Sequence, residues 1–218
     1  MCTIRYTLLS DGSSDKALIP ILTWLLRHYF GNCAIHPNYA DLRRLPRPPR
    51  NFSKRIITAV ELFPCDLLFV HRDAEDQNRQ MRKNEIEHAI FRASEAMTLP
   101  HVICVIPVRM GEAWLLFDED AIRRASGNPN GRIPLDLPNI ANLETLPNPK
   151  KNLYELLRKA CELRGRRLRK LNTNKCTHLV AEFIEDFASL RQLSAFIALE
   201  LDVQTTSTLI TVNLATPP

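Results

Sequence analysis

Acidic side chains follow three apolar segments of the chain, at the points where those segments end. Asp11 follows the first, Asp73 and Glu75 follow the second, and Glu112 follows the third. Because the carboxyl ends of neighbouring parallel strands meet at one edge of a sheet, we expect these carboxylates to lie close together. Like charges at such distances repel and require a cation, and hard oxygen ligands suit Mg²⁺ or Mn²⁺.

A divalent metal held in this way supports the hydrolysis of phosphodiesters. One ion can activate a water molecule, and two can hold the attacking and leaving oxygens of an in-line displacement. The four carboxylates are therefore predicted metal ligands and catalytic residues, with Asp15 and Asp76 as further ligands. Lys150 begins a predicted helix, where the dipole disfavours a cation unless it meets a phosphate, so we expect it, or its neighbour Lys151, to stabilise transition-state charge.

Each of these acids also has a structural interpretation. Asp11 precedes Gly12 and two serines and could form a turn that caps a helix. The second group could be an acidic loop paired with nearby arginines, and Glu112 could be an ordinary acid at a helix start. His71 directly precedes the second group, but we interpret it as a half-buried histidine with satisfied hydrogen bonds and do not name it catalytic.

Positive charge is concentrated in two stretches of a chain whose net charge is +5. Residues 150–175 hold ten basic and two acidic side chains, and residues 41–55 carry a local charge of +5. Such blocks fit a polyanionic partner, and a solvated helix face is the other interpretation. The candidates for contacts with a nucleic-acid backbone surround Gly165 in an expected interhelical loop: Arg164, Arg166, Arg167, Arg169 and Lys170.

Composition indicates a globular chain with a packed core. Among 218 residues, 45% are hydrophobic and 24% are charged, which excludes a disordered or collagenous protein. The longest nearly uncharged apolar run, 17–26, is about half of the roughly 20 residues that span a bilayer. No secretory signal is recognisable, so we expect a cytoplasmic protein without a membrane segment. The six cysteines form no CxxC pair, and neither a structural zinc nor a disulfide framework is expected.

Apolar strands alternate with amphipathic helices in the first part of the chain. This alternation predicts an α/β fold with a mostly parallel sheet, right-handed crossovers and ligands beyond the carboxyl ends of the strands. We expect an α/β domain over 1–127, a proline-rich connection over 128–149, and a basic helical portion over 150–218 packed on the same domain. Strands are predicted at 5–10, 34–36, 66–71 and 101–108. Helices are predicted up to about residue 30 and at 53–63, 79–97, 112–126, 150–164, 177–188 and 190–201, and 205–218 is expected to fray or pair as a strand.

An acid after the first strand, Asp11, and an acidic pair after a later strand, Asp73-Ala74-Glu75, resemble the pattern of the TOPRIM domain of topoisomerases, primases and overcoming-lysogenisation-defect nucleases. Four short motifs, LSDGSSD at 9–15, RDAE at 72–75, GEAWLL at 111–116 and NPKK at 148–151, resemble more closely those of small bacterial TOPRIM-like proteins. The resemblance implies a Rossmann-like TOPRIM fold, with Asp11 in place of the usual glutamate and Asp73-Ala74-Glu75 in place of D-x-D. It also implies nuclease activity on DNA, association with an ATPase partner, and a role in anti-phage defence.

Two departures from the TOPRIM pattern leave an alternative open. Asp11 is one methylene shorter than glutamate and Glu75 one longer than aspartate, which fits either shifted metal geometry or lost activity. The alternative is a non-catalytic subunit that binds nucleic acid or an ATPase partner. A receiver-like domain would need only about half of this chain, and a P-loop enzyme is excluded because no GxxxxGK[ST] motif occurs.

Overall fold

The computed structural model describes residues 2–75 and 78–215 as an α/β fold built on one four-stranded sheet. All strand pairs are parallel, and their spatial order is β2-β1-β3-β4. The strands are β1 (Cys2–Leu9), β2 (Cys33–Ala40), β3 (Leu67–His71) and β4 (His101–Val105). The parallel sheet predicted from the sequence is confirmed.

Eight α-helices surround or extend this sheet in the described part of the chain. They are α1 (Leu18–Tyr29), α2 (Phe52–Leu62), α3 (Arg79–Ser94), α4 (Glu119–Ala125), α5 (Pro149–Ala160), α6 (Gly165–Arg169), α7 (Thr173–Phe183) and α8 (Ser194–Ala215). Short 3₁₀ helices lie at Ser14–Ala17, Leu42–Arg44, Gly111–Leu115, Ile140–Thr145 and Ala188–Gln192.

The sheet is covered on both faces, which explains why β3 is apolar along its whole length and fully buried. Side chains on one face, such as Leu8 and Phe69, pack with α1 and the C-terminal helices. Those on the other face, such as Leu68 and Val70, pack with α2 and α3. The larger of these two clusters joins residues before and after the proline-rich connection, so α5, α7 and α8 share a core with the sheet.

The helix after β1 starts in two steps. A 3₁₀ helix, Ser14–Ala17, comes first, and α1 then begins at Leu18 with Pro20 in its first turn. Proline is tolerated there because the backbone N–H groups of the first turn have no partner within the helix. The proline therefore marks a restart and does not kink the helix interior.

Two predictions for the C-terminal portion are wrong. The segment around Gly165 was expected to be a loop, but it forms the short helix α6. The tail beyond residue 205 was expected to fray or to form a strand, but it continues α8 as far as Ala215. Residues 216–218 lie outside the described part of the chain.

A disulfide joins Cys2 of β1 to Cys33 of β2. The two residues are directly paired in the register of these neighbouring strands. This disulfide corrects the expectation from the sequence, since the spacing of the cysteines says nothing about which strands become neighbours. The remaining four cysteines are free thiols.

Among residues 2–75 and 78–215, no helix combines the length and the hydropathy that a bilayer crossing needs.

Candidate functional site

Four ionisable side chains from separate segments meet at the carboxyl edge of the sheet: Asp15, His71, Asp73 and Glu112. His71 is the last residue of β3, and Asp73 follows it by two residues. Asp15 lies in the 3₁₀ helix after β1, and Glu112 lies in the 3₁₀ helix after β4. The parallel arrangement of β1, β3 and β4 brings these segments together, as expected from the sequence. We call this group the carboxyl-edge cluster.

Asp15 is fixed by the turn that leaves β1. Its Oδ2 accepts a hydrogen bond from the backbone N–H of Gly12 at 2.8 Å, and its Oδ1 accepts one from the Ser14 hydroxyl at 3.1 Å. A Cβ atom at Gly12 would lie 3.2 Å from Asp15 Oδ1, so glycine allows this close approach. The sequence suggested a turn here with Asp11 as the residue that caps it. In the structure, the side chain that the turn holds is that of Asp15.

His71 is almost fully buried, with 3% of its surface exposed. Its Nδ1 lies 3.0 Å from the carbonyl oxygen of Val105, and since that oxygen can only accept, Nδ1 carries a proton. Its Nε2 lies 3.4 Å from Asp73 Oδ1 and 3.9 Å from Asp15 Oδ2. In the neutral ring Nε2 presents a lone pair toward the two carboxylates.

Asp73 lies in the middle of the cluster. Its Oδ1 accepts a hydrogen bond from the backbone N–H of Gly111 at 3.0 Å, which ties the end of β3 to the segment after β4. Burial raises the pKa of Asp73 to about 6, with further increases from the charges of Asp15 and Glu112 and an opposing effect from His71. Asp73 is therefore a carboxyl that holds its proton unusually well.

Glu112 is 8% exposed and pairs with a cation from the C-terminal portion. Its Oε1 lies 3.1 Å from Lys150 Nζ, although no well-directed hydrogen bond from a described residue reaches this buried oxygen. Lys150 is the second residue of α5, and Asn148 caps that helix by accepting a hydrogen bond from the Lys151 N–H at 2.9 Å. Burial acts to lower the pKa of Lys150, but Glu112 outweighs it, so the pKa is raised.

His178 of α7 interacts electrostatically with the cluster, and it was not among the predicted site residues. Its Nδ1 is buried and has no hydrogen-bond partner among the described residues. The pKa of His178 is lowered, first by burial and then by Lys16, while Glu182, Asp15 and Glu112 act in the opposite direction. In the sequence it is notable only for its closeness to Cys176, which does not indicate a position near these carboxylates.

Two predicted ligands have other partners. Asp11 forms ion pairs with Arg55 and Arg72, the latter at 3.0 Å between Nε and Oδ2. Glu75 has a left-handed backbone (φ 53°), and its exposed carboxylate lies 3.7 Å from an Arg82 nitrogen. Their roles as metal ligands stay predictions. Asp76, the remaining predicted ligand, lies outside the described residues.

The basic residues proposed to contact nucleic acid are on and beside α6. All five side chains are exposed, and none forms an ion pair with another residue in the described ranges: Arg164, Arg166, Arg167, Arg169 and Lys170. Positive charge at this location is consequently available to a polyanion.

Oxygen donors make up most of the cluster, and their chemistry suits a hard divalent cation. As the side chains stand, however, no group of three or more His, Cys, Asp or Glu residues within 2–75 and 78–215 is arranged to hold a metal ion. Lys150 instead neutralises Glu112, and His71 lies between Asp15 and Asp73.

Comparison of the chain with protein-family models, with curated proteins and with solved structures finds no match.

Proposed function

We propose that the protein hydrolyses phosphodiester bonds of DNA with the help of Mg²⁺ or Mn²⁺. The observation that carries this proposal is the convergence of Asp15, Asp73 and Glu112 from three strand ends at one partly buried site beside His71.

The oxygen donors of the carboxyl-edge cluster are of the type that such an ion prefers, although the described side chains are not arranged around one as they stand. Asp15, Asp73 and Glu112 would hold it, with Asp11, Glu75 and Asp76 as the further ligands suggested by the sequence. When bound, a divalent ion would lower the pKa of a water molecule and neutralise charge on the phosphodiester. Burial is the main cause of the raised pKa of Asp73, and the charges of Asp15 and Glu112 raise it further; a bound cation would offset those charges.

The neighbouring side chains have roles that follow from their positions. His71 Nε2 can accept a proton, because Nδ1 is engaged with the Val105 carbonyl. Lys150 is within reach of the cluster and carries a mobile ammonium that can move from Glu112 to a phosphate oxygen. The exposed arginines of α6 would hold the DNA backbone without reading its sequence.

The wider setting of this activity comes from the resemblance to TOPRIM-like proteins. It includes an ATPase partner and a role as effector in anti-phage defence. The cytoplasmic location is also part of the proposal, and it comes from the sequence pattern and not from this resemblance.

The test is cleavage of a supercoiled plasmid in Mn²⁺. We expect the wild-type protein to nick or linearise it and Asp73→Asn to lose about 100-fold or more, the scale on which removing one charge-stabilising group acts. Asp66→Asn is the matched control, because Asp66 pairs with Arg5 at the start of β3, at the opposite edge of the sheet. Equal cleavage by the wild type and Asp73→Asn would refute the proposal.

A second candidate is a non-catalytic subunit that binds nucleic acid. Two observations favour it: Asp11 is neutralised by arginines, and the described side chains form no ready-made metal group. This candidate requires DNA binding that weakens steeply with salt, is lost when Arg166, Arg167 and Lys170 are changed to Gln, and occurs without turnover in Mn²⁺.

A further inference from the structure

Asp11 lies between the guanidinium groups of two arginines from different elements, Arg55 and Arg72, and we call this pair of arginines the fork. Arg55 of α2 and Arg72, which follows β3, both direct guanidinium nitrogens at its carboxylate. Guanidinium groups match the geometry of carboxylates and phosphates equally well, because both anions offer a pair of oxygens. The two arginines can therefore bind a phosphate group as well as the Asp11 carboxylate that lies between them.

The two arginines are held in place by contacts that do not involve Asp11. Arg55 donates a hydrogen bond from Nη2 to the Ser10 carbonyl at 2.8 Å, and Arg72 pairs with Glu85 at 3.1 Å. Both guanidinium groups also lie over the ring of Phe52, at 5.8 Å and 5.3 Å from its centroid. A fork that is already ordered loses little conformational entropy when an anion binds.

Asp11 is the accessible member of the group. Its side chain is 49% exposed, whereas those of Arg55 and Arg72 are 17% and 22% exposed. Solvent therefore reaches the anion more readily than the cations behind it, and the carboxylate can turn outward without opening the core.

A cavity of about 290 Å³ lies next to this fork. Its lining includes Asp11, Arg55 and the proline-rich loop residues Arg43, Pro48 and Arg50. Arg50 is exposed and forms no ion pair with a described residue, so the cavity has a free cation at its rim. Volume and charge together suit a phosphate group with part of its ribose.

We propose that Arg55 and Arg72 form a binding fork for a backbone phosphate of DNA, and that Asp11 is a resident anion which that phosphate replaces. The identity of the ligand rests on the function proposed above, since the fork lies beside the carboxyl-edge cluster. In this proposal Asp11 does not act as a metal ligand. Its carboxylate occupies the two guanidinium groups until a phosphate of DNA displaces it.

The two roles lead to opposite outcomes for one substitution. If Asp11 only holds a metal, Asp11→Asn leaves DNA binding unchanged when the metal is chelated. If Asp11 fills a phosphate site, the same change frees two guanidinium groups while Asn keeps an oxygen acceptor for the folded state. DNA binding then strengthens.

The experiment is fluorescence anisotropy with a labelled 30-base-pair duplex in EDTA, across a salt series. At about 100 mM salt we expect Asp11→Asn to bind at least about threefold more tightly than the wild type, with a salt slope steeper by about 1, as for one more neutralised phosphate. Asp66→Asn makes the same charge change at the opposite edge of the sheet and should not change affinity more than about 1.5-fold. Equal affinities for Asp11→Asn and Asp66→Asn would overturn the proposal.

Two loop variants keep the proposal testable if Asp11→Asn does not fold. Arg50→Gln should weaken binding by about threefold, because Arg50 lines the cavity. Arg47→Gln removes the same charge from the same loop but not from the cavity lining, and should have less effect. Equal losses in the two variants would contradict the proposal. EDTA chelates the metal and stops hydrolysis, so this binding experiment does not depend on plasmid cleavage. The phosphate-binding proposal and the hydrolysis proposal can therefore be refuted independently of each other.

Discussion

The carboxyl of Asp73 shows how strongly a side chain depends on its surroundings. It accepts one backbone hydrogen bond, from Gly111, while burial and two nearby carboxylates oppose its ionisation. These opposing effects raise its pKa from 3.8 to about 6. The folded protein without a bound cation therefore bears a free-energy cost whenever Asp73 is charged.

This cost has a defined pH dependence. Because the folded pKa lies above the unfolded one, ionisation of Asp73 destabilises the fold increasingly between about pH 3.8 and pH 6 and fully above that range. In EDTA, we expect Asp73→Asn to be more stable than the wild type at pH 7.5, on the order of 2 kcal/mol, with the difference vanishing near pH 4. Urea unfolding at the two pH values measures it.

Asp66→Asn is a control for which we expect the opposite change in stability. Arg5 lowers the pKa of Asp66, so the charged form stabilises the fold above the unfolded pKa and the substitution should reduce stability at pH 7.5. If Asp73→Asn were no more stable than the wild type at pH 7.5, the carboxyl-edge cluster would not be the crowded acidic group described here.

The strand ends predicted from the sequence identified the segments that carry the acidic side chains, but not which of these side chains face one another. Asp15, Asp73 and Glu112 do converge, whereas Asp11 turns toward Arg55 and Arg72. The apolar pattern of a strand locates its end, but the conformation of the following turn decides where a side chain points. In this turn, the Gly12 N–H binds Asp15, which is four residues beyond Asp11.

The helix α8 depends on a residue of the proline-rich connection. Glu144 accepts hydrogen bonds from the backbone N–H groups of Ser194 (3.1 Å) and Ala195 (2.8 Å), and from the Ser194 hydroxyl (2.7 Å). The carboxylate thus caps the first turn of α8 from a distant segment and opposes the positive end of its dipole.

We expect Glu144→Ala to destabilise the fold by about 1 to 2 kcal/mol, the usual cost of removing a helix cap. Glu155→Ala is the matched control, because Glu155 is exposed and lies 3.8 Å from Lys151 in a pair that contributes little. Thermal and urea unfolding of the two variants measure the difference. A loss in Glu144→Ala no larger than that in Glu155→Ala would show that the cap does not stabilise α8.

Strong hydrophobic patterns predicted the strands and most helices, whereas the end of α8 was missed. Its sequence there holds several threonines, which favour strands over helices because their side chains are branched at Cβ. In the fold, Thr205 and Thr206 return their hydroxyl hydrogen bonds to carbonyls one turn earlier, those of Leu201 and Asp202. Buried Val203 packs this segment into the core, so tertiary contacts outweigh local propensity.

The disulfide between Cys2 and Cys33 closes a loop across a sequence separation of 31. By the chain-entropy model, a loop of this length stabilises the fold by about 3 to 4 kcal/mol. We expect dithiothreitol to lower the free energy of unfolding by that amount in the wild type and to have no effect on Cys33→Ser. Thiol titration of the denatured protein should give four free thiols before reduction, namely Cys65, Cys104, Cys161 and Cys176. Six free thiols before reduction would contradict the disulfide.

One hydrophobic cluster extends from β1 to Val203. The sequence predicted that residues 150–218 pack on the same domain as the α/β portion, and the proline-rich connection between them has a 3₁₀ helix and a helix cap of its own. Composition predicts where the backbone becomes irregular, but not which residues of the flanking segments meet in the core. The shared core explains how Lys150, far along the chain, reaches Glu112.

One of the two edge strands of the sheet, β2, carries a proline on its exposed stretch. Pro37 is paired in register with Tyr6 of β1 and lies in the middle of the strand. Prolines in sheets normally turn their nitrogen away from the neighbouring strand, where no N–H is needed. A strand of another molecule that approached this edge would lack one backbone N–H donor for pairing, because Pro37 has none. This edge is therefore protected against self-association into extended β-assemblies.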